Sequence, residues 1–204
     1  MRSPAAKEQT DTARLEAFSD GVFAIAITLL VLELAVPDGE GSLWHKLIHE
    51  WPQFAAYLSS FAVIGIMWVN HHSMFRAIVR TDRPLLFLNL LLLLWMSLLP
   101  FPTSLVSRYL GGGGPDASVA EAVYSANLAL AAIAFSLIWV RAVRGGRLIA
   151  APLGAAAERS SLLRFSVGTF IYAATIGLAF LSAPLALGVQ AALALYYGFE
   201  QVSA

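Results

Sequence analysis

The sequence predicts an all-α integral membrane protein of six transmembrane helices, and three observations carry that prediction. Of 204 residues, 58% are hydrophobic and only 13% charged, against about a quarter charged in an ordinary soluble domain. Mean hydropathy is +0.71. The apolar residues come in long runs rather than in alternating segments of about ten residues, which selects helices over an outer-membrane barrel.

Taken in order, the polar residues 1–13 read as a short disordered or interfacial lead. Helix 1 covers 14–36 and stops at Pro37-Asp38-Gly39. A connector follows, with room for an interfacial helix around Leu43 to His49. Helix 2 spans 52–72, opening near Trp51 and Pro52 and running into Asn70-His71-His72. Pro84 opens helix 3, which covers 84–108, with Pro100 and Pro102 bending its far end. The cluster Gly111 to Pro115 breaks the chain before helix 4, 117–143, which the segment Arg141, Arg144, Gly145-Gly146, Arg147 closes. Helix 5 spans 160–181 and helix 6, the shortest, 184–199, making one membrane domain over 1–204.

Six crossings put both termini on one side. Arg2, Lys7, Arg14, Arg76, Arg80, Arg83, Arg141, Arg144, Arg147, Arg159 and Arg164 fall on that side, leaving Lys46 and Arg108 opposite. The positive-inside rule makes it cytoplasmic.

The exclusions are as informative. The formal net charge is zero, and with no basic face nothing suggests nucleic acid. The chain has no cysteine, so disulfides and thiolate metal sites are out. Asp20 and Glu33 interrupt the first apolar run, which is therefore a poor signal peptide and is expected to be retained. His71 and His72 are adjacent and point about 100° apart on a helix, unlike an i, i+4 ligand pair. No H-E-x-x-H, G-x-S-x-G or phosphate-binding glycine pattern occurs. No catalytic residue, metal site, cofactor or soluble partner is inferred, and an enzyme is not expected.

What remains is a concentration of polar groups at one depth. Asp20 lies about one and a half turns inside Arg14, His71 and His72 end helix 2, and Asn89 sits little more than a turn into helix 3. An ionisable group within a spanning helix marks a functional or tightly paired position. Asp20, Ser19 and Arg14 are expected to form a buried hydrogen-bonded network with His71 or His72, with Trp68 and Asn89 within reach; the plainer reading leaves the histidines in the headgroup region. On a helical wheel Ile25, Thr28, Leu29, Leu32 and Val36 share one stripe, nearly opposite Asp20. From spacing alone that stripe is ordinary packing more readily than a pore lining.

Arg14-x-x-x-Phe18-Ser19-Asp20, followed by Val-Phe-Ala-Ile-Ala-Ile-Thr-Leu-Leu, resembles the first-helix signature of the endosomal and lysosomal transmembrane potassium channel family, in particular its bacterial one-repeat members. Six spans and the Trp68, His71, His72 region fit as well. The resemblance implies a homotetramer in the lipid bilayer, with four copies of helix 1 around a path for potassium ions. It implies a narrow hydrophobic constriction at Ile25, pore positions at Thr28, Leu29 and Leu32, and a structural polar network around Phe18, Ser19 and Asp20. No carbonyl filter is required: Ser166-Val167-Gly168-Thr169-Phe170 faintly resembles one but lies inside the helix 5 pattern. Gly168 and Gly177 are read instead as sites of close helix packing. The competing class is a proton-coupled transporter relaying protons through Asp20 and His71 or His72; a scaffold without flux is the third. Glu33 stays open between an ion-concentrating ring, a partner helix and the interface.

Overall fold

Breakers divide the chain, and the computed structural model, which describes residues 4–38, 40–144, 148–150 and 154–202, sets helices between them. Arg2, Gly39, Gly145, Gly146 and Arg147 lie outside the described residues. The first helix, α1, runs Pro4–Leu29 and tightens into a 3-10 turn over Leu30–Glu33. Residues 4–13, expected within a disordered or interfacial lead, are instead its first turns. Proline suits the first helical position, and the Ala, Lys, Glu and Gln that follow are good helix formers with no breaker among them. At the other end α1 stops short of Val36. Leu34 turns extended, and Ala35 N donates to Gln53 Oε1 at 2.8 Å, so the departing backbone bonds to the next crossing rather than to its own helix.

The connector holds α2, Leu43–His49, and α3 follows over Trp51–Ala77 with proline in its first turn. Helices α4, Arg83–Leu98, and α5, Pro100–Tyr109, make one crossing interrupted at Leu99. Pro100 has no N–H to give the preceding turn, which is why the interruption falls there. A 3-10 turn, Leu110–Gly112, then leads through Gly113 and Gly114 at φ 64° and 73°, a region costly for any side chain. The chain reverses there into α6, Gly114–Val143; α7, Ala155–Ala179, and α8, Ala183–Val202, complete it. Five helical stretches are long and apolar enough to cross a membrane, and α8 supplies a shorter apolar helix over Ala183–Tyr197. The 20 residues of α8 reach about 30 Å, the thickness of the hydrocarbon.

The central post is α6, which packs against α7, α4 and α5. Ala120, Ala131, Ala134 and Ala142 are buried along it, small enough to let neighbouring backbones approach. Helix α1 packs on the outside of this core against α3 and α4. The segment Ser166 to Phe170 lies within α7, with Thr169 Oγ1 3.2 Å from Ser136 Oγ of α6. A Cβ on Gly168 would stand 3.5 Å from Tyr197 Oη, whereas one on Gly177 would meet nothing within 4 Å, so close packing holds at the first glycine and not at the second.

The loop between α3 and α4 is clamped to the loop after α6. Ile78 and Ile149 form an antiparallel bridge, flanked by Val79 N donating to Leu148 O at 2.8 Å and Ala150 N to Ala77 O at 3.1 Å. Asp82 caps α4 by accepting from Leu85 N at 3.0 Å and pairs with Arg141 of α6. Burial opposes its charge, but the bonds from Arg141 and Leu85 outweigh that and hold the Asp82 carboxyl below the ordinary carboxylate range.

Candidate functional site

Helix α1 has two faces with different tasks. Leu15, Ser19, Phe23, Ala26 and Leu30, spaced three or four apart, are buried against α3 and α4. Ile25, Thr28, Leu29 and Leu32 lie on the other side and stay uncovered by their own subunit, Ile25 at 61% and Leu32 at 75% exposure. The Thr28 hydroxyl donates back to Ala24 O at 3.0 Å and Ile25 O at 2.9 Å. With its proton so engaged, the Thr28 oxygen presents acceptor character outward, the only polar side chain in that apolar stripe.

Behind the stripe runs a directed chain of hydrogen bonds through three helices. The carbonyl Oδ1 of Asn89 can only accept, so His71 donates to it from Nε2, at 2.8 Å. Asn89 Nδ2 then donates to Ser19 Oγ at 2.9 Å, and Ser19 Oγ to Leu15 O at 2.9 Å. All three side chains are buried. The His71 ring is wedged between Phe75, at 4.4 Å between centroids, and Phe23, at 5.4 Å. The buried Asn89 amide is thus paired at both its oxygen and its nitrogen, which lipid demands more strictly than water.

Asp20 stands beside this chain rather than in it. The sequence reading paired it with His71 or His72; the structure pairs it with Trp68, whose Nε1 donates to Asp20 Oδ1 at 2.8 Å. Trp68 in turn stacks on His72 at 6.2 Å. The two sets occupy different sides of α3 at one depth: His71 is buried in the bundle, while Trp68 and His72 are exposed along its rim. The 100° between adjacent histidines is the cause, since only one of them can face α4. Arg14 and Phe18 are exposed, and among the described residues no hydrogen bond or ion pair joins Arg14 to the network. Glu33 closes the 3-10 turn half-buried.

A second polar cluster went unread in the sequence. Glu121 and Ser125 of α6 lie with Thr175 of α7 and Gln190 of α8, all buried, and beside them Tyr124 Oη, Ser60 Oγ and Thr103 Oγ1 form a hydroxyl group of their own. The signal that marked Asp20, a carboxylate inside an apolar crossing, was equally present at Glu121. Among the described residues no cluster of His, Cys, Asp and Glu is suited to a metal ion.

Fold and site define a polytopic α-helical membrane protein that pins its first helix from one side and leaves the other side bare. Residues 14–100 match the family described as endosomal/lysosomal potassium channel TMEM175. A relative from Streptomyces collinus, named a potassium channel, is 50% identical over 194 residues and 94% of both chains. The crystal structure of a lysosomal potassium-selective channel TMEM175 homolog from Chamaesiphon minutus superposes with a TM-score of 0.83 at 39% identity, covering 94% of this chain and 98% of that one. A bovine relative named an endosomal/lysosomal proton channel is 40% identical over 119 residues, 53% of this chain and 24% of its own length. The chain belongs to the TMEM175 family, a family of ion channels and not of enzymes.

Proposed function

We propose that four copies of this chain form a potassium-preferring cation channel in a bacterial plasma membrane, both termini cytoplasmic, with α1 of each subunit lining a central path. The observation that carries this reading is the division of α1: one face is buried by its own subunit, and the opposite face is an exposed stripe of Ile25, Thr28, Leu29 and Leu32. Around a fourfold axis such stripes become rings. The Ile25 ring makes the constriction, which dewets when narrow and passes partly dehydrated potassium when wider. Leu29 and Leu32 continue the apolar wall, and the Thr28 ring offers oxygens to an ion that has shed water. The closed ring is a cyclic assembly of identical chains.

The carrier reading loses its relay. Proton coupling would need Asp20 in line with a histidine, whereas the observed chain runs from His71 through Asn89 and Ser19 to a backbone carbonyl, and Asp20 bonds Trp68. The network is structural on this reading. Liposomes holding protein of verified tetrameric mass, with potassium, sodium and proton flux measured side by side, test the proposal. Passive potassium flux that exceeds sodium flux and persists in Asp20→Asn is expected. Saturable exchange coupled to protons and lost in Asp20→Asn would replace the channel with a carrier.

A further inference from the structure

The α6–α8 side of the subunit carries a carboxyl for which the proposed ion path has no use. Glu121 lies two turns into α6 and is 0% exposed. Its polar neighbours are Gln190 of α8 and Ser125 on its own helix, whose Oγ donates to Glu121 Oε1 at 3.4 Å. The groups facing this corner from the surrounding helices are neutral ones: Thr175 and Tyr172 from α7, Tyr124 on the adjoining turn of α6, Ser60 from α3 and Thr103 from α5. No cation among the described residues is paired with it.

The hydrogen-bond accounting of this corner has a specific gap. Gln190 Nε2 spends its hydrogens on Ser125 Oγ at 2.7 Å and Thr175 Oγ1 at 3.0 Å. Thr175 Oγ1 donates on to Tyr172 O at 2.7 Å, and Ser125 Oγ to Glu121. Two acceptors are then buried with no donor reaching them, Glu121 Oε2 and Gln190 Oε1, on two residues that touch. A carboxylate buried without a cation or a set of strong donors is among the costliest arrangements a protein core can hold. One hydrogen on the carboxyl resolves both, because a protonated carboxyl is a donor as well as an acceptor.

We propose that Glu121 is a proton-binding site in the outer half of the bundle, its carboxyl neutral at neutral pH and its O–H donating to Gln190 Oε1. The proton comes from water and no other bond changes. So loaded, the carboxyl closes a ring of bonds that ties α6 to α8 and, through Gln190, to α7. Turning the Gln190 amide over would offer the carboxylate a single N–H, but would leave a full charge buried on that one donor.

Infrared difference spectroscopy on the reconstituted protein at neutral pH, in light and heavy water, decides it. Expected is the carbonyl band of a protonated carboxylic acid, lowered in heavy water, absent from Glu121→Gln and retained in Asp20→Asn and Glu33→Gln. Glu121→Gln, which keeps a donor and stays neutral, should melt within a few degrees of the parent, and Glu121→Ala well below it. Should Glu121→Gln fold poorly, Glu121→Asp must shift the band. A parent spectrum without the band, or a band that survives Glu121→Gln, overturns the proposal. So does a melting temperature that falls when potassium and sodium are replaced by a large organic cation in the parent but not in Glu121→Gln, which would assign the corner to an alkali cation.

Discussion

Asn89→Ala removes the one side chain that bonds both α1 and α3 from α4. It takes away the acceptor of His71 Nε2, at 2.8 Å, and the donor to Ser19 Oγ, at 2.9 Å. Ser19 keeps its bond to Leu15 O, so its loss is partial. His71 is in a worse position: it is 1% exposed, lies between two aromatic rings, and has nowhere to turn its N–H. A buried donor left unsatisfied costs about 1–3 kcal/mol, and the space left by the amide adds to it, giving about 2–4 kcal/mol in all. Asp20→Ala should cost less, about 0.5–1.5 kcal/mol, because it breaks a single bond at an exposed site. At about 2–4 °C per kcal/mol for a chain of this size, Asn89→Ala lowers the melting temperature of the detergent-solubilised protein by about 4–16 °C. The measurement is thermal unfolding followed by size-exclusion chromatography on both variants. If Asp20→Ala proves the more damaging of the two, Asp20 and not Asn89 is the hub, and the two-sided reading of this site is wrong.

Three further outcomes follow from the same geometry. Ile25→Ser should raise potassium flux and loosen ion preference; lowering the constriction barrier by about 1.4 kcal/mol would give about tenfold, and unchanged flux with unchanged preference would remove Ile25 from the constriction. Thr28→Val keeps the shape but removes the outward oxygen, so potassium flux should fall relative to sodium while the melting temperature holds, read by parallel flux assays on the two ions. At Asp82 the folded carboxyl is held below its unfolded value, so the stability it lends is present above about pH 4 and lost as pH falls through the folded value. Melting curves taken downward from pH 6 should therefore drop further for the parent than for Asp82→Asn, by a small margin because the Arg141 pair is partly exposed.

Much of this architecture can be read from the chain because lipid leaves few choices. Apolar runs of crossing length had to be helices, and Pro100 and Gly111 to Pro115 had to interrupt them. The wheel of α1 separated Ile25 and Leu32 from Asp20 by rotation alone, and the same residues are uncovered in the subunit. Partners were harder to read. Depth brought Asp20, Trp68, His71, His72 and Asn89 to one level, but choosing among them needs the rotation of α3, which composition does not supply. The 3-10 end of α1 was hidden for a similar reason, since it depends on Gln53, a residue 18 positions from Ala35, accepting a bond from the departing backbone. Glu121 was legible and was passed over beside Asp20, although it is the more deeply buried of the two.

The position of Asp20 on the rim has a mechanical reason. A constriction made of side chains from one helix is only as well defined as that helix's rotation, because turning α1 by one residue's worth, about 100°, would replace Ile25 in the proposed ring with a neighbour. Apolar contact with α3 and α4 resists sliding weakly, since lipid tails are as apolar as Leu and offer no hydrophobic penalty for a shift. Directional bonds resist it strongly. The chain from His71 to Leu15 fixes α1 from directly behind, and the Asp20 to Trp68 bond fixes it from the flank, so two bonds at different angles define one rotation. Gln53 holds the far end of the same helix through Ala35. In the proposed channel the polar residues of α1 thus set the angle at which the apolar ones face the path, and a charge in the stripe itself would forfeit the dewetting on which the proposed constriction relies.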